Sequence, residues 1–346
     1  MNDPSQDSGK PAGDGLRWLR GPFLGACFFF AAGVADFLLD ARLPFPPVPE
    51  IAARFRYFAE RKDDFNTIFI GSSRVRHQVI PRQFDAEVAA SGVAIHSINL
   101  GYSGMWPPES FYFLRQVLAL QPRHLRWVII ELMDYRFGEA EHRPPTMRMV
   151  YWHDWKHTGM AFSVVAESSL SLIEKGRQLA RHAWLFLQRT TNPGRGADWL
   201  HDRYFPMKKK PDTSWIKRAG FDPEEKGEWS DGARADFAQK VQALERSLAP
   251  RSLRPGLDSA LRELITEVRR AGAQPIFILP PSIRTTENLA GALPPDTIVW
   301  AFNNPVEYPR LFLPELHYDP GHLNEDGARE FTSLLAQRLA DLARKR

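Results

Sequence analysis

The tetrapeptide Gly71-Ser72-Ser73-Arg74 directly follows a short apolar run, Thr67-Ile68-Phe69-Ile70. A serine at a strand-to-helix turn holds its hydroxyl at the open edge of a sheet. Amides at the start of the helix can stabilise an oxyanion there, and a preceding glycine lets the backbone turn sharply. A serine helix cap needs the same placement. The second piece lies near the other end of the chain, in Asp319-Pro320-Gly321-His322-Leu323-Asn324. An Asp three residues before a His, on a Pro-Gly turn, orients the imidazole by accepting from one ring nitrogen. The other nitrogen can then take a proton from a serine. The ordinary alternative is a Pro-Gly turn with Asn324 as a cap. A third piece, His153-Asp154-Trp155-Lys156-His157, carries histidines at i and i+4, which on a helix share a face and could bind zinc. No obvious third ligand follows, so a solvated or substrate-facing segment is expected, with no metal and no organic cofactor.

These pieces need a scaffold that brings distant residues to one edge. Thr67–Ile70, Val93–Leu100, Trp127–Leu132, Gln274–Pro280 and Thr297–Ala301 read as strands. Helices are expected from about Pro81 to Ala90, from Pro107-Pro108 to about Leu120, from Leu257 to Ala271 and from Asn324 to Arg344. Strands alternating with helices predict an α/β fold, a parallel sheet with helices on both faces. Reactive groups in such folds collect beyond the carboxyl ends of the strands. Residues 137–255 break the alternation. They hold Trp152, Trp155, Trp184, Trp199, Trp215 and Trp229, a helical stretch at Ser163–Arg189, and loops around Lys208-Lys209-Lys210 and Pro223–Lys226. An insertion or cap over the strand ends is expected. Its tryptophans either pack a satellite core or offer faces for sugar rings.

The chain has 346 residues, 43% hydrophobic and 25% charged, with a net charge of +4. This is globular composition, which excludes a mostly disordered, collagen-like or many-span membrane protein. The small basic excess does not demand nucleic acid, and no nucleic-acid partner is expected. The single cysteine, Cys27, forbids an intrachain disulfide. Residues 1–20 read as a polar cytoplasmic tail ending in Arg17 and Arg20. Residues 21–42 read as a signal-anchor, because Gly21 to Leu39 is long enough for a hydrocarbon core of about 30 Å. The basic flank keeps the N-terminus in the cytoplasm and exports the rest. A cleaved signal ending at Gly33-Val34-Ala35 and a buried core helix are the competing readings. Residues 43–64 read as a proline-rich linker and lead-in helix.

In the order of its chemical pieces the chain resembles the SGNH/GDSL hydrolase superfamily. The resemblance covers residues 65–136 and 256–346 and implies a three-layer, flavodoxin-like sheet. Ile70-Gly71-Ser72-Ser73 is similar to the first block, which implies Ser73 as nucleophile. Asn99-Leu100-Gly101-Tyr102-Ser103-Gly104 is similar to the second, which implies an oxyanion hole of the Ser73 and Gly104 amides, with Gly101 as the alternative. Asp319 and His322 match the last block and complete a Ser73–His322–Asp319 triad. Two positions depart from the pattern. Ser72 replaces the usual Asp, as in the membrane-anchored branch serving cell-envelope acylation, which includes the D-alanyl transfer proteins of teichoic acid and the alginate O-acetylation proteins. The third block lacks its asparagine, since Glu131-Leu132-Met133-Asp134-Tyr135-Arg136 follows the third strand. Asn99 or Arg74 is the expected substitute donor. The resemblance implies a serine esterase or O-acyltransferase, tethered to the inner membrane with its body outside the cytoplasm. It would act on acyl, above all acetyl, esters of an envelope polysaccharide, with a membrane O-acyltransferase as donor partner. The alternative is a non-catalytic binding or assembly protein with a degraded site.

Overall fold

The computed structural model describes residues 17–40, 45, 48–135, 146–191, 213–247, 252–283, 289 and 293–345. Five parallel strands, β1 (Thr67–Ile70), β2 (Ser97–Asn99), β3 (Trp127–Glu131), β4 (Gln274–Leu279) and β5 (Ile298–Ala301), lie in the order β2-β1-β3-β4-β5. The chain steps from β1 to one side, then crosses back to build the other. The end of β1 therefore opens at the switch point of the sheet, where such folds place their ligands.

The strands are apolar throughout because both faces are covered. Ile68, Ile70, Val128, Ile130 and Phe277 point into one core with Phe58 of α2 (Pro49–Glu60), Phe113 of α5 (Glu109–Ala119) and Leu257, Leu261 and Leu264 of α10 (Pro255–Arg270). Phe69, Ile129, Ile276 and Ile278 point into the other, with Phe84 and Val88 of α4 (Pro81–Ala90) and Phe331, Leu335 and Leu339 of α11 (Glu325–Arg344).

Three elements differ from the sequence-based expectation. The second strand pairs only over Ser97–Asn99. Before it the Asn66 side chain replaces the ladder, accepting from the His96 amide and donating to the Ala94 carbonyl. The helix expected over Ser163–Arg189 is two helices, α7 (Trp155–Ala166) and α8 (Leu172–Thr190). The serines between them take over backbone bonds: Ser168 Oγ donates to the Val165 carbonyl and Ser171 caps α8. The membrane-spanning segment expected over 21–42 is not supported. Residues Arg17–Asp40 form helix α1, yet among the described residues no helix is long and apolar enough to cross a membrane. The unbroken apolar run, Phe23 to Ala35, reaches only about 20 Å at about 1.5 Å per residue before Asp36 interrupts it.

The described parts of residues 137–255, which also include α6 (Met147–Val150) and α9 (Asp231–Ser247), pack onto the body, with Phe237 and Leu244 of α9 in the second core. Helix α7 packs on α10, and Met160, Ala161 and Val164 join the first core. A later stretch runs along the free edge of β2, where the Asn99 amide donates to the Ala219 carbonyl at 2.9 Å. Buried Arg54 donates from Nη1 to the carbonyls of Asn99 and Gly220 and stands 4.8 Å from the Trp215 ring centroid. Trp215 is core, whereas Trp155 and Trp184 face solvent. Trp199 and Lys208–Lys210 lie outside the described residues.

Gly220 makes this edge contact sterically demanding. Its φ is +97°, and a Cβ would lie 1.9 Å from the Asn99 oxygen. Gly220→Ala is therefore expected to cost roughly 2 kcal/mol or more, read as a lower urea midpoint. Gly159→Ala, in α7 with open space around it, should instead gain up to about 1 kcal/mol.

Candidate active site

Strand β1 ends at Ile70, and the chain turns through Gly71 into α3 (Ser73–Gln78). A Cβ on Gly71 would lie 2.5 Å from Val75 and 2.6 Å from Glu131, so the turn accepts no larger residue. Ser72 caps α3, its Oγ accepting from the Arg74 amide. The capping role thus falls to Ser72 and not to Ser73. Glu131, at the end of β3, is buried, and its carboxylate holds the turn from both sides of Ser73. The Ser72 amide donates to Oε2 at 2.5 Å and Arg74 Nε donates to Oε1 at 2.6 Å.

Ser73 and His322 are 249 positions apart in the chain, yet Ser73 Oγ lies 2.7 Å from His322 Nε2. His322 Nδ1 lies 3.0 Å from Asp319 Oδ1, which also accepts from the Gly321 amide at 2.6 Å. Asp319 ends β6 (His317–Asp319) and His322 opens β7 (His322–Leu323), so the Pro320-Gly321 turn of this small hairpin sets their spacing. Asn324 fixes the start of the last helix: its Oδ1 accepts from the Gly327 amide as the cap of α11, and its Nδ2 donates to the Glu315 carbonyl. With Asp319 accepting from Nδ1–H, Nε2 is left to accept the serine proton.

The residues expected at the oxyanion hole divide. The Ser73 and Gly104 amides donate to no acceptor among the described residues. Gly104 has φ +69°, and the atoms nearest a Cβ there are the Arg148 guanidinium nitrogens, at 3.7 and 3.8 Å. Gly101 is committed elsewhere, its amide donating to Asn99 Oδ1 at 2.9 Å. A Cβ there would lie 2.7 Å from the Arg76 amide, so its role is close packing. Asn99 is not a substitute oxyanion donor. It is fully buried, and Nδ2 donates to the carbonyls of Val75 and Val79, closing the end of α3. Arg74 is not one either, because Glu131 holds it in the interior.

Sequence reasoning missed the groups that brace the Gly104 loop. The Tyr102 amide donates to the Gly71 carbonyl at 2.9 Å. Arg148 Nη1 donates to the Ser103 carbonyl at 2.8 Å, and its other nitrogens grip Glu109 at 2.9 and 2.8 Å. Burial pushes the Glu109 carboxyl up, and Arg148 and the Tyr151 hydroxyl oppose that shift. Arg76 holds Asp222 through Nε and Nη2. Both guanidiniums stand over the Tyr102 ring, at 5.3 and 4.8 Å. His77 lies behind, its ring centroid 6.3 Å from that of His322. Burial holds its imidazole down at about 4, so at neutral pH Nδ1–H donates to the Asp222 carbonyl. Nε2 stands 3.4 Å from Ser103 Oγ and 3.4 Å from Glu224, whose carboxyl is raised by burial. The one available signal was adjacency: Arg76 and His77 stand on the same short helix as Ser73. Asp222 and Glu224 come from the insertion, where nothing in the pattern marked them.

Comparisons of the chain with protein-family models, with curated proteins and with solved structures find no match.

The two histidines of the zinc spacing do not share a helix face. His153 precedes Asp154, the cap of α7, and turns to another element. Its Nδ1–H donates to the Met149 carbonyl, Nε2 accepts from His182 Nδ1, and His182 Nε2 accepts from the Tyr135 hydroxyl at 2.9 Å. His157 instead lies between Asp154 and Arg115. Among the described residues no group of three or more His, Cys, Asp or Glu is arranged to hold a metal ion.

These burials have two consequences for stability. Glu131→Gln strips a buried Arg74 of its charge partner and is expected to cost about 3 kcal/mol or more. A double variant, Glu131→Leu with Arg74→Met, should recover much of that loss in urea titrations. Burial also holds His182 down at about 4 and His153 at about 2, as it does His77. The unfolded chain takes up these protons near 6.5, while the folded chain refuses them. Stability is therefore intact above pH 6.5 and falls as the pH drops toward 4. His182→Gln should flatten that slope in pH-dependent unfolding, whatever it costs at neutral pH.

Proposed function

We propose that the protein is an SGNH-type, flavodoxin-like serine esterase or O-acyltransferase. The observation that carries the reading is the 2.7 Å approach of Ser73 Oγ to His322 Nε2, with Asp319 on the other ring nitrogen. Ser73 attacks the acyl carbonyl while His322 takes its proton. The negative charge that develops on the carbonyl oxygen falls to the Ser73 and Gly104 amides. Collapse expels the first alcohol, which takes the proton back from His322, and leaves the acyl group on Ser73. A water or a sugar hydroxyl, deprotonated by the same imidazole, then removes the acyl group and regenerates the serine. Asp319 holds the imidazole in the required tautomer and offsets its transient charge.

The acyl group is proposed to be acetyl, and the acceptor or donor an O-acylated polysaccharide of the cell envelope. Support for this is the resemblance of Gly71-Ser72-Ser73 to the envelope-acylation branch, a fold-level analogy. An inner-membrane setting with the body outside the cytoplasm belongs to the same proposal. It rests on Arg17 and Arg20 ahead of the apolar residues of α1, and a membrane O-acyltransferase is the proposed donor. The lack of an asparagine in residues 131–136 favours a second reading, a non-catalytic assembly protein, because a lost oxyanion donor costs about a hundredfold or more.

Turnover of p-nitrophenyl acetate and of O-acetylated glycans by the full chain separates the two. The enzyme reading expects turnover that falls by about a thousandfold or more in Ser73→Ala and in His322→Ala. Equal rates in wild type and Ser73→Ala would remove Ser73 from the mechanism, and a wild type without turnover would favour the assembly reading.

A further inference from the structure

Helix α8 buries two polar side chains and leaves most of its large apolar residues outside. Its inward side buries Leu185 together with Gln178 and His182, and His182 is tied to His153 and Tyr135. Arg189 also reaches inward, to the Tyr151 carbonyl and to the Tyr112 hydroxyl. Its outward side holds Leu172 and Ile173, both 87% exposed, with Trp184 and Leu187. Gly176, Ala180 and Ala183 fill the space between them and are also exposed. At 100° per residue these seven residues fall on one continuous stripe of about 120°. A surface helix ordinarily buries such a stripe, and an exposed apolar face of this extent marks an interaction site.

Three observations select the occupant. Trp155, 82% exposed, packs its ring against Phe186 of α8 and widens the apolar face with an amphipathic aromatic. Helix α1 packs against α8 and exposes Phe23, Leu24, Phe28, Phe29 and Phe30, so the two apolar surfaces are neighbours. Finally, apart from the inward-reaching Arg189, α8 carries three basic residues, Lys175, Arg177 and Arg181, against one acidic residue, Glu174, which pairs with Arg177. Convex apolar surface, exposed tryptophan and a basic surplus together are the chemistry of a helix lying in a headgroup layer.

We propose that the outward face of α8, extended by Trp155, seats the body on an anionic lipid bilayer. The inference shares the membrane setting of the proposed function but none of its chemistry. Lipid contact and ester turnover can fail separately.

The test uses the full chain with Cys27→Ala and a single reporter cysteine, Ile173→Cys or Val306→Cys, labelled with the environment-sensitive dye NBD. Val306 is 69% exposed, in the loop after β5. Both sites are on the surface, and circular dichroism checks the fold. Vesicles of phosphatidylcholine with phosphatidylglycerol are added, with and without doxyl groups on the acyl chains. The dye at position 173 is expected to shift to the blue, to brighten and to be quenched by the doxyl chains, while the dye at 306 stays water-like. Emission from 173 that stays water-like while the protein floats with the vesicles would overturn the proposal, leaving α1 as the sole lipid contact. A blue shift that grows with protein concentration and ignores doxyl would also overturn it, in favour of a second copy of the chain.

Discussion

A carboxylate closed inside a parallel sheet must be matched by donors, because an unmatched buried charge is far costlier than a matched one. Glu131 sits at the end of β3 and is matched by the Ser72 amide and by Arg74 Nε. Those donors flank Ser73 in the sequence. The requirement to satisfy one interior charge therefore fixes the backbone on either side of the Ser73 hydroxyl. Gly71 lets the carboxylate come that close, and Ser72 caps the helix that begins there. Ser73 is left as the residue of the turn whose side chain faces outward to the histidine.

A similar constraint explains the opposite partner. A short hairpin and the cap of α11 hold Asp319 and His322, and α11 itself packs against α3 and α4. Ser73 and His322 thus rest on elements that share one core. Residues from the insertion complete the surroundings. Arg148 braces the Ser103 carbonyl next to Gly104, and Asp222 anchors Arg76 and His77. These residues of the insertion stand beside Ser73 and His322, and the close approach of Gly220 to the β2 edge holds their stretch there.

Much of this was legible in the sequence. Strands buried on both faces leave unbroken apolar runs, so β1, β3 and β4 fell within a residue or two of their observed bounds. Ser73, Asp319 and His322 stood out because turn residues surround each of them. The surroundings of Ser73 were not legible. Asn99 looks like a free amide in the sequence, but the fold uses all of its polar atoms on the backbone of α3 and on Gly101. Glu131 drew notice only as the start of a segment without asparagine, and its donors, the Ser72 amide and Arg74, come from another strand end. His153 and His157 lost their shared face because Asp154 starts the helix between them. Such pairings join residues far apart in the chain, and local periodicity carries no trace of them.

The central claim is that the buried ends of the sheet present one activated hydroxyl to an imidazole. Labelling with a fluorophosphonate followed by peptide mass spectrometry tests it most directly, since a serine without a base does not react at a comparable rate. A single adduct is expected, on Ser73, and it is lost in His322→Ala. An unlabelled protein, or an adduct on Ser72 in its place, would contradict the claim.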